Sequence, residues 1–177
     1  GSLLLSEPFM LDPNFERSVV LLCEHNEDGT VGMVLNHRSQ LLLSDVMDVE
    51  VVDFPLYIGG PVPNNAIFFL HRAFDKITDG THIFQDAYWG GDFDLAITLI
   101  NEGLLSTDEI KFFLGYSGWA EGQLHDEINQ NSWAVHNKFS TELTFITDGE
   151  DLWKQALISL GPKYAHVANF PKSPNLN

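Results

Sequence analysis

The chain has 177 residues, with nine Lys and Arg against 25 Asp and Glu, which gives a formal net charge of −16 at pH 7. This charge repels phosphate groups, and the few cationic residues are dispersed, so we expect neither direct binding of nucleic acid nor attachment to an anionic membrane surface. Hydrophobic residues make up 44% of the chain and aromatic residues 12%, which indicates a folded domain with a core and excludes a disordered protein.

Eight segments rich in β-branched and aromatic residues predict strands. In chain order they are residues 2–6, 18–25, 30–36, 56–59, 66–72, 81–89, 110–116 and 132–136. The turn at residues 26–29 predicts a hairpin between the second and third strands, with Gly29 supplying a positive φ. Residues 61–65 predict a second hairpin, between the fourth and fifth strands.

Helices are predicted most clearly at residues 92–104 and 148–160. Asp92 and Asp148 are suitable N-caps, apolar residues recur at helical spacing in both segments, and Gly161 follows the second. Weaker helical patterns cover residues 42–48 and 120–129, the second of which places Leu124 and Ile128 on one face.

The unequal spacing of strands and helices predicts an α+β fold with a mostly antiparallel sheet rather than a doubly wound one. We expect a single domain over residues 1–166. Residues 167–177 contain two prolines, three asparagines and little to bury, so we predict a mobile C-terminal tail.

The single cysteine, Cys23, follows three apolar residues in a predicted strand. It excludes an internal disulfide and is typical of a buried thiol in a reducing compartment. No apolar run approaches the roughly 18 residues of a membrane span. These features predict a cytoplasmic protein without a membrane segment.

Titratable residues at the end of the second predicted strand are the first candidates for chemistry. Glu24 and His25 are neighbours, so they point to opposite faces of a regular strand, whereas Cys23 and His25 share a face. A Cys–His nucleophile pair is therefore geometrically conceivable, but the simpler interpretation of a thiol in an apolar strand is an inert core residue.

Other motifs are incomplete. The seven histidines show no spacing typical of zinc ligands, although His25, His37 and His71 could converge with carboxylates in three dimensions. Residues 115–119, GYSGW, have Trp119 at the position two places after the serine, where a nucleophile elbow requires glycine. Residues 59–61, GGP, lack the third glycine and the following helix of a dinucleotide loop. We predict no catalytic residue, metal or cofactor from these patterns.

Polar and aromatic residues at the predicted strand ends form the candidate ligand-binding cleft. The set comprises Asn14, Arg17, Glu24, His25, Asn36, Gly59, Gly60, His71, Tyr116, Trp119, Gln123 and Glu127. Rings with a few fixed donors and carboxylates are the usual lining of a small-molecule or peptide cleft. The alternative is that these residues are ordinary surface polar groups with satisfied hydrogen bonds.

The order of several motifs resembles the AlgH/YqgE family of bacterial proteins. These are GSLLL at 1–5, DPNFERSVV at 12–20, EHN at 24–26, GMVLN at 32–36, GGPV at 59–62, and GYSGW at 115–119 followed by GQL at 122–124. The resemblance extends over residues 1–133, and Ser117 stands where the family usually has alanine. It implies a bent sheet that closes into a pseudo-barrel flanked by helices. Function is mostly undescribed in the family, whose members are often labelled transcriptional regulators.

Three functions follow as hypotheses. The first is a cytosolic binding or regulatory module that contacts a protein or small ligand through the candidate cleft. The second is an enzyme of unknown reaction with a site near Glu24, His25 and Gly60. The third interprets the regulator label as direct DNA binding. The net charge and the lack of a basic helix that could read a DNA groove argue against it.

Overall fold

The computed structural model describes residues 1–50 and 54–172. Its strands are β1 (Leu3–Ser6), β2 (Val19–Asn26), β3 (Gly29–Val34), β4 (Arg38–Leu42), β5 (Pro55–Ile58), β6 (Val62–His71), β7 (Thr81–Phe84), β8 (Ala87–Trp89), β9 (Ile110–Ala120) and β10 (Trp133–His136). Its α-helices are α1 (Phe93–Asn101), α2 (Gln123–Asn129), α3 (Thr141–Ile146), α4 (Gly149–Leu160) and α5 (Pro162–Val167). Short 3-10 turns occupy Pro13–Phe15 and Leu43–Asp45. The fold is α+β, as predicted.

The strands form one sheet in the order β10-β1-β2-β3-β9-β6-β8-β7, and a branch in which β4 pairs with β5 and β5 with β9. Most ladders are antiparallel, and β5 runs parallel to β9. The long strand β9 organises the sheet because β3, β5 and β6 all pair with it. Residues from the middle of the chain are thereby brought beside the β2–β3 hairpin.

Two layers of helix cover the sheet. The face formed by β1 and β2 packs against α4, whose Trp153 is completely buried and donates its indole N–H to the carbonyl of Ser6 at 2.9 Å. A second cluster joins α1 to β9 through Ile100 and Phe112. Burial of these apolar faces is the main source of stability.

The sheet is not closed by hydrogen bonds. In residues 1–50 and 54–172, no ladder joins the edge strands β7 and β10. Side chains span part of this gap, because the rings of Phe84 and Phe139 lie 4.1 Å apart and Gln85 donates to the carbonyl of Phe139 at 3.2 Å. Closure into a pseudo-barrel is therefore not confirmed.

Several predicted elements are confirmed with small shifts in their bounds. The β2–β3 hairpin pairs Asn26 with Gly29, whose φ is +144°. The Asp92 side chain accepts the N–H of Leu95 at 2.9 Å and caps α1. The pattern at residues 120–129 becomes α2, on which Leu124 is buried.

Other predicted elements are wrong. The fourth and fifth predicted strands do not form a hairpin, since β9 lies between β5 and β6 and pairs with both. Residues 81–89 are two strands, β7 and β8, separated by a turn in which Gln85 has φ +45°. The helix predicted at residues 42–48 is not formed; Leu42 ends β4 and only Leu43–Asp45 form a 3-10 turn. Strand β4 and helices α3 and α5 were not predicted.

The C-terminal segment contacts the body of the protein as far as the structure describes it. Ala168 is buried, the Phe170 ring stacks on Phe9 with centroids 5.8 Å apart, and the Phe170 carbonyl accepts a hydrogen bond from Arg17. Residues 173–177 of the predicted tail lie outside the described residues. The mobility of residues 167–177, and the boundary at residue 166, stay predictions.

Candidate functional site

The twelve predicted cleft residues do not line one cavity. Glu24, Tyr116 and Trp119 share a cavity beside the β2–β3 hairpin, His25 lines an adjoining one, and Arg17 and Asn36 line a groove at the start of α4. The remaining six lie in turns, in the core or around Trp119. We describe each group in turn.

The hairpin cavity has a volume of about 490 Å³ and is open to solvent. Its lining comprises Glu24, Asn26, Asp28, Gly29, Thr30, Val31, Val62, Tyr116, Gly118 and Trp119. It forms because β3 pairs with the end of β9, opposite Trp119 and Gly118, while β6 begins next to Tyr116. Aromatic and apolar surface thus meets carboxylates that have no ion-pair partner in the described residues.

Glu24 and His25 face different cavities. The ladder between β2 and β3 skips Cys23, which forms a β-bulge. From Glu24 onward the side chains again alternate between the two faces of the sheet. Glu24 accepts from Asn26 at 2.7 Å, and the His25 Nδ1 contacts the Thr30 hydroxyl at 2.6 Å. The alternation predicted from the sequence explains this separation.

Cys23 lacks the features of a nucleophile. Its Sγ lies 3.6 Å from the Leu21 carbonyl, and burial raises the pKa of its thiol to about 12. The thiolate is the reactive form, so this thiol is protonated at neutral pH.

Glu127 organises the indole rings behind the hairpin cavity. One of its oxygens accepts from Trp119 and Trp133 at 2.9 and 2.8 Å, and the other from Gln123 at 2.9 Å. The ring of Phe15 packs edge-on against Trp133, with centroids 5.3 Å apart. These contacts hold the Trp119 indole in the core, where it is 5% exposed and lies on the opposite face of β9 from Tyr116.

Gly59 and Gly60 form a close backbone crossing with β9. The Gly59 carbonyl accepts from Val34 at 2.9 Å and from the Ser117 hydroxyl at 3.0 Å. Gly60 has φ +155°, and a Cβ there would overlap Ser117 and Tyr116. The glycines therefore shape the sheet below the hairpin cavity without presenting a functional group.

Arg17 and Asn36 hold the chain at the start of α4. Arg17 is 4% exposed and has a backbone φ of +47°. Its guanidinium carbon lies 4.9 Å from the centroid of the Trp153 ring, and its terminal nitrogens donate to Glu150 and to the Phe170 carbonyl. Asn36 accepts from Val19 and donates to the carbonyls of Arg17 and Gly149. The sequence predicted Arg17 where a strand end meets solvent or a cleft. Its side chain lines the groove at the start of α4, but its guanidinium is enclosed against Trp153, Glu150 and Phe170.

The other two predicted residues lie apart from the hairpin cavity. Asn14 is exposed in the turn Pro13–Phe15 and donates to Asp12 at 2.9 Å. His71 is fully buried beside Tyr88, and its Nδ1 accepts the N–H of Ala73 at 3.3 Å. Burial lowers the pKa of His71 and keeps the ring neutral.

A groove along the N-terminus of α4 was not predicted. We call it the α4 groove; it consists of three adjoining cavities of about 250, 650 and 180 Å³. The first two share Asn36, His37, Gly149 and Glu150, and the last two share Arg38 and Asp148. Arg17 and Lys172 line one end, and Tyr57 and Lys111 the other.

A Tyr–Asp–Lys cluster, in which Tyr57 and Lys111 are buried and Asp148 is partly exposed, closes the far end of the α4 groove. Tyr57 donates to both Asp148 oxygens at 2.8 and 2.7 Å, and the Lys111 Nζ lies 3.2 Å from Asp148 and 3.2 Å from the Leu35 carbonyl. Desolvation lowers the pKa of Lys111, although Asp148 opposes this, and desolvation together with Asp148 raises the pKa of Tyr57. The sequence signal was a lysine inside an apolar strand.

The histidines considered as metal ligands are separated. His25 lies on the hairpin, His37 follows β3, and His71 is in the core. In the part of the chain that the structure describes, no three His, Cys, Asp or Glu residues are close enough to hold a metal ion. Within the same ranges, none of the helices has the length and apolar composition of a membrane span.

Comparison with known proteins identifies the family. The family model described as AlgH-like matches residues 3–165. The chain belongs to the AlgH-like family. A UPF0301 protein of Cytophaga hutchinsonii is 44% identical over 179 residues, covering all of this chain and 98% of the relative. A UPF0301 protein of Chlorobaculum tepidum is 38% identical and covers all of this chain and 95% of the relative.

Solved structures support the same assignment. The AlgH protein of Pseudomonas aeruginosa aligns with a TM-score of 0.72 and 27% identity, covering 96% of this chain and 93% of that protein. A protein of Corynebacterium diphtheriae aligns with a TM-score of 0.77 and 23% identity, over 96% of this chain and 91% of that one, and shows the fold alone. The resemblance inferred from the sequence motifs is thus confirmed.

Proposed function

We propose that this AlgH-like chain is a binding module whose ligand, a protein segment or a small molecule, enters the hairpin cavity. The observation that carries the proposal is that Glu24, Tyr116 and Trp119, from two distant segments of the sequence, line the same cavity. Regulation, if the family label applies, then works through this contact rather than through DNA.

The lining suggests the chemistry of the ligand. Glu24 and Asp28 supply negative charge, while Tyr116 supplies a ring and Val31 and Val62 supply apolar surface. A cationic group attached to an apolar or aromatic body satisfies both, because ring faces and carboxylates each attract cations. The net charge of −16 increases the local concentration of such ligands.

Tyramine and 4-ethylphenol are a suitable pair of probes, because they share a ring and differ by one ammonium group. We expect tyramine to shift the amide resonances of Gly29, Thr30 and Gly118 saturably in a heteronuclear NMR titration, and 4-ethylphenol to do so more weakly. Glu24→Gln should raise the apparent Kd about fivefold, since an exposed ion pair contributes about 1 kcal/mol. Glu102→Gln, which removes an exposed carboxylate at the end of α1, should leave it unchanged.

Absence of saturable shifts at those amides with either probe would contradict the proposal. Equal weakening by the Glu24 and Glu102 variants would show that only the overall charge of the protein matters.

The distribution of cationic residues supports indirect regulation. Six of the nine Lys and Arg residues take part in ion pairs within the described residues. Phosphate contacts require such side chains to be available, so sequence-specific DNA binding is unfavourable. A gel mobility series from 50 to roughly 200 mM salt tests this, because tight binding that weakens steeply with salt would refute it.

Two further expectations belong to the proposal. The lone thiol and the anionic surface are typical of a cytoplasmic protein. The contact between Phe84 and Phe139 supports closure of the sheet into a pseudo-barrel by side chains. No observation on the described residues favours the enzyme alternative near Glu24, His25 and Gly60.

A further inference from the structure

The end of β9 has a pairing partner on one side only. Strand β3 pairs with it from Ser117 to Ala120, whereas β6 reaches it no further than Tyr116, which lies opposite Val62. Before Val62 the chain leaves this edge, because Gly60 crosses β9 next to Ser117. Within residues 1–50 and 54–172, no strand pairs with the outer edge of β9 after Tyr116.

The alternation of hydrogen bonds in an antiparallel ladder determines which groups of β9 face this open edge. Asn26 and Gly29 pair with each other across a two-residue turn, so the N–H and C=O of Gly29 point to β2. Those of the next residue, Thr30, then point to β9, where Thr30 lies opposite Trp119. Gly118, one residue before Trp119, therefore directs its N–H and C=O away from β3.

Two contacts support this direction. Ala120 has the same orientation as Gly118, and its N–H donates to the Gln123 side chain at 3.0 Å instead of to β3. The Trp119 carbonyl lies on the β3 side, because a Cβ on Gly29 would overlap it. Gly118 is exposed, and its N–H and C=O have no partner along this edge in the part of the chain that the structure describes.

The open edge borders the hairpin cavity, which Gly118 also lines. Gly118 lies opposite Val31, and Val31 lies opposite Glu24, so the three residues form one row across the sheet. Directly opposite residues point to the same face of a sheet. Because Gly118 has no side chain, a long side chain from a strand on the open edge can lie across it towards Glu24.

The charge of this surface favours a cationic occupant. Glu24 and Asp28 line the hairpin cavity. Glu27 and Glu121 line the adjoining one. None of the four has an ion pair among the described residues, and no Lys or Arg lines either cavity. The net charge of −16 opposes a second copy of this chain here and attracts a segment that carries Lys or Arg.

We propose that an extended segment of a partner protein adds to the open edge of β9 as a further antiparallel strand, with a cationic residue opposite Gly118. That residue exchanges two main-chain hydrogen bonds with Gly118, and its side chain crosses Val31 towards Glu24. The Ala120 carbonyl accepts a third bond, from the residue two places earlier in the segment. The inference rests on the function proposed above and names the ligand as a peptide chain rather than a small molecule.

The blocked peptide acetyl-Thr-Val-Arg-Val-Thr-amide tests the proposal by NMR on the full chain. Its analogue N-methylated at the arginine keeps the charge but lacks the N–H that would bond to Gly118. We expect the peptide to slow solvent exchange of the Gly118 amide saturably, and the analogue to bind about tenfold more weakly. Tyramine, which has no main chain, should shift this amide without slowing its exchange.

Gly118→Ala and Gly118→Pro form a matched pair of variants. Alanine keeps the N–H at the open edge, whereas proline removes it, which an edge strand tolerates. A Cβ at this position would stand 3.4 Å or more from the Tyr116 and Val62 side chains, which is ordinary contact. We expect the apparent Kd of the peptide to be about tenfold higher in Gly118→Pro than in Gly118→Ala.

Equal affinity of the peptide and its N-methyl analogue, or an unchanged exchange rate of the Gly118 amide, would overturn the proposal. If tyramine then still shifts the cavity amides, the binding function stands and only the strand addition is wrong. If neither probe binds, both are wrong. Protection of Gly118 without peptide, increasing with protein concentration, would identify a second copy as the occupant and would also overturn the proposal.

Discussion

Replacement of Arg17 by methionine tests whether this residue supports the fold or only a ligand. The guanidinium is buried and connects Glu150 on α4 to the carbonyl of Phe170, and it stacks on Trp153. Methionine keeps most of the side-chain volume but removes every donor. Glu150 is 29% exposed and would retain Lys154 and Lys172 as partners, which limits the loss of stability.

We estimate the cost at about 3 kcal/mol, the lower end of the range for breaking a buried ion pair. For a chain of this size, such a loss lowers the Tm by roughly 6–12 °C. Calorimetry and urea denaturation followed by tryptophan fluorescence would measure it. Arg38→Met, at an exposed arginine of the same groove, should change stability by less than about 0.5 kcal/mol.

Equal stability of the Arg17 and Arg38 variants would refute this reasoning. It would return Arg17 to the ligand-binding role for which the sequence first suggested it. A double-mutant cycle with Glu150→Gln should give a coupling energy above about 1 kcal/mol if the ion pair contributes to folding.

Three further predictions concern stability. Glu127→Ala should cost about 2–3 kcal/mol in urea denaturation, because two indole N–H groups lose their acceptor; a smaller loss would mean that water replaces the carboxylate. Gly60→Ala should lower the free energy of unfolding by at least about 2 kcal/mol more than Gly161→Ala, because both glycines have positive φ but only Gly60 touches Ser117. Equal losses would show that the backbone crossing can relax. His71 has a lowered pKa in the folded state, so its contribution to stability is present above pH 6.5 and is lost as the pH falls towards the folded-state value. Comparing the urea midpoint at pH 7.5 and 5.5 should therefore show a smaller change in His71→Asn, and an unchanged difference would contradict this assignment.

Local patterns were sufficient for most of the strands and for helices α1 and α4, although the Asp148 side chain makes no capping hydrogen bond. Asp92 capped α1 as expected, and Gly29 took the positive φ of the hairpin. Where the prediction failed, long-range pairing decided the structure, because β9 entered between β5 and β6. A turn of five residues between two strands does not reveal a third strand from elsewhere in the chain.

The candidate site was only partly predictable, because it too depends on long-range strand pairing. Tyr116 and Trp119 lie in one motif, but their meeting with Glu24 depends on the register of β3 against β9. The α4 groove was missed because Asp148 was interpreted only as a helix cap, and its partners Tyr57 and Lys111 are far from it in sequence. Spacing along the chain carries no signal for such contacts.

The position of β1 also affects the synthesis of this protein. Leu3–Ser6 pairs with β2 on one side and with β10, near residue 136, on the other. During translation, the second edge of this leucine-rich strand has no partner until β10 has been synthesised. Exposed apolar edges promote association between nascent chains, so this edge needs protection until β10 is available to pair with it.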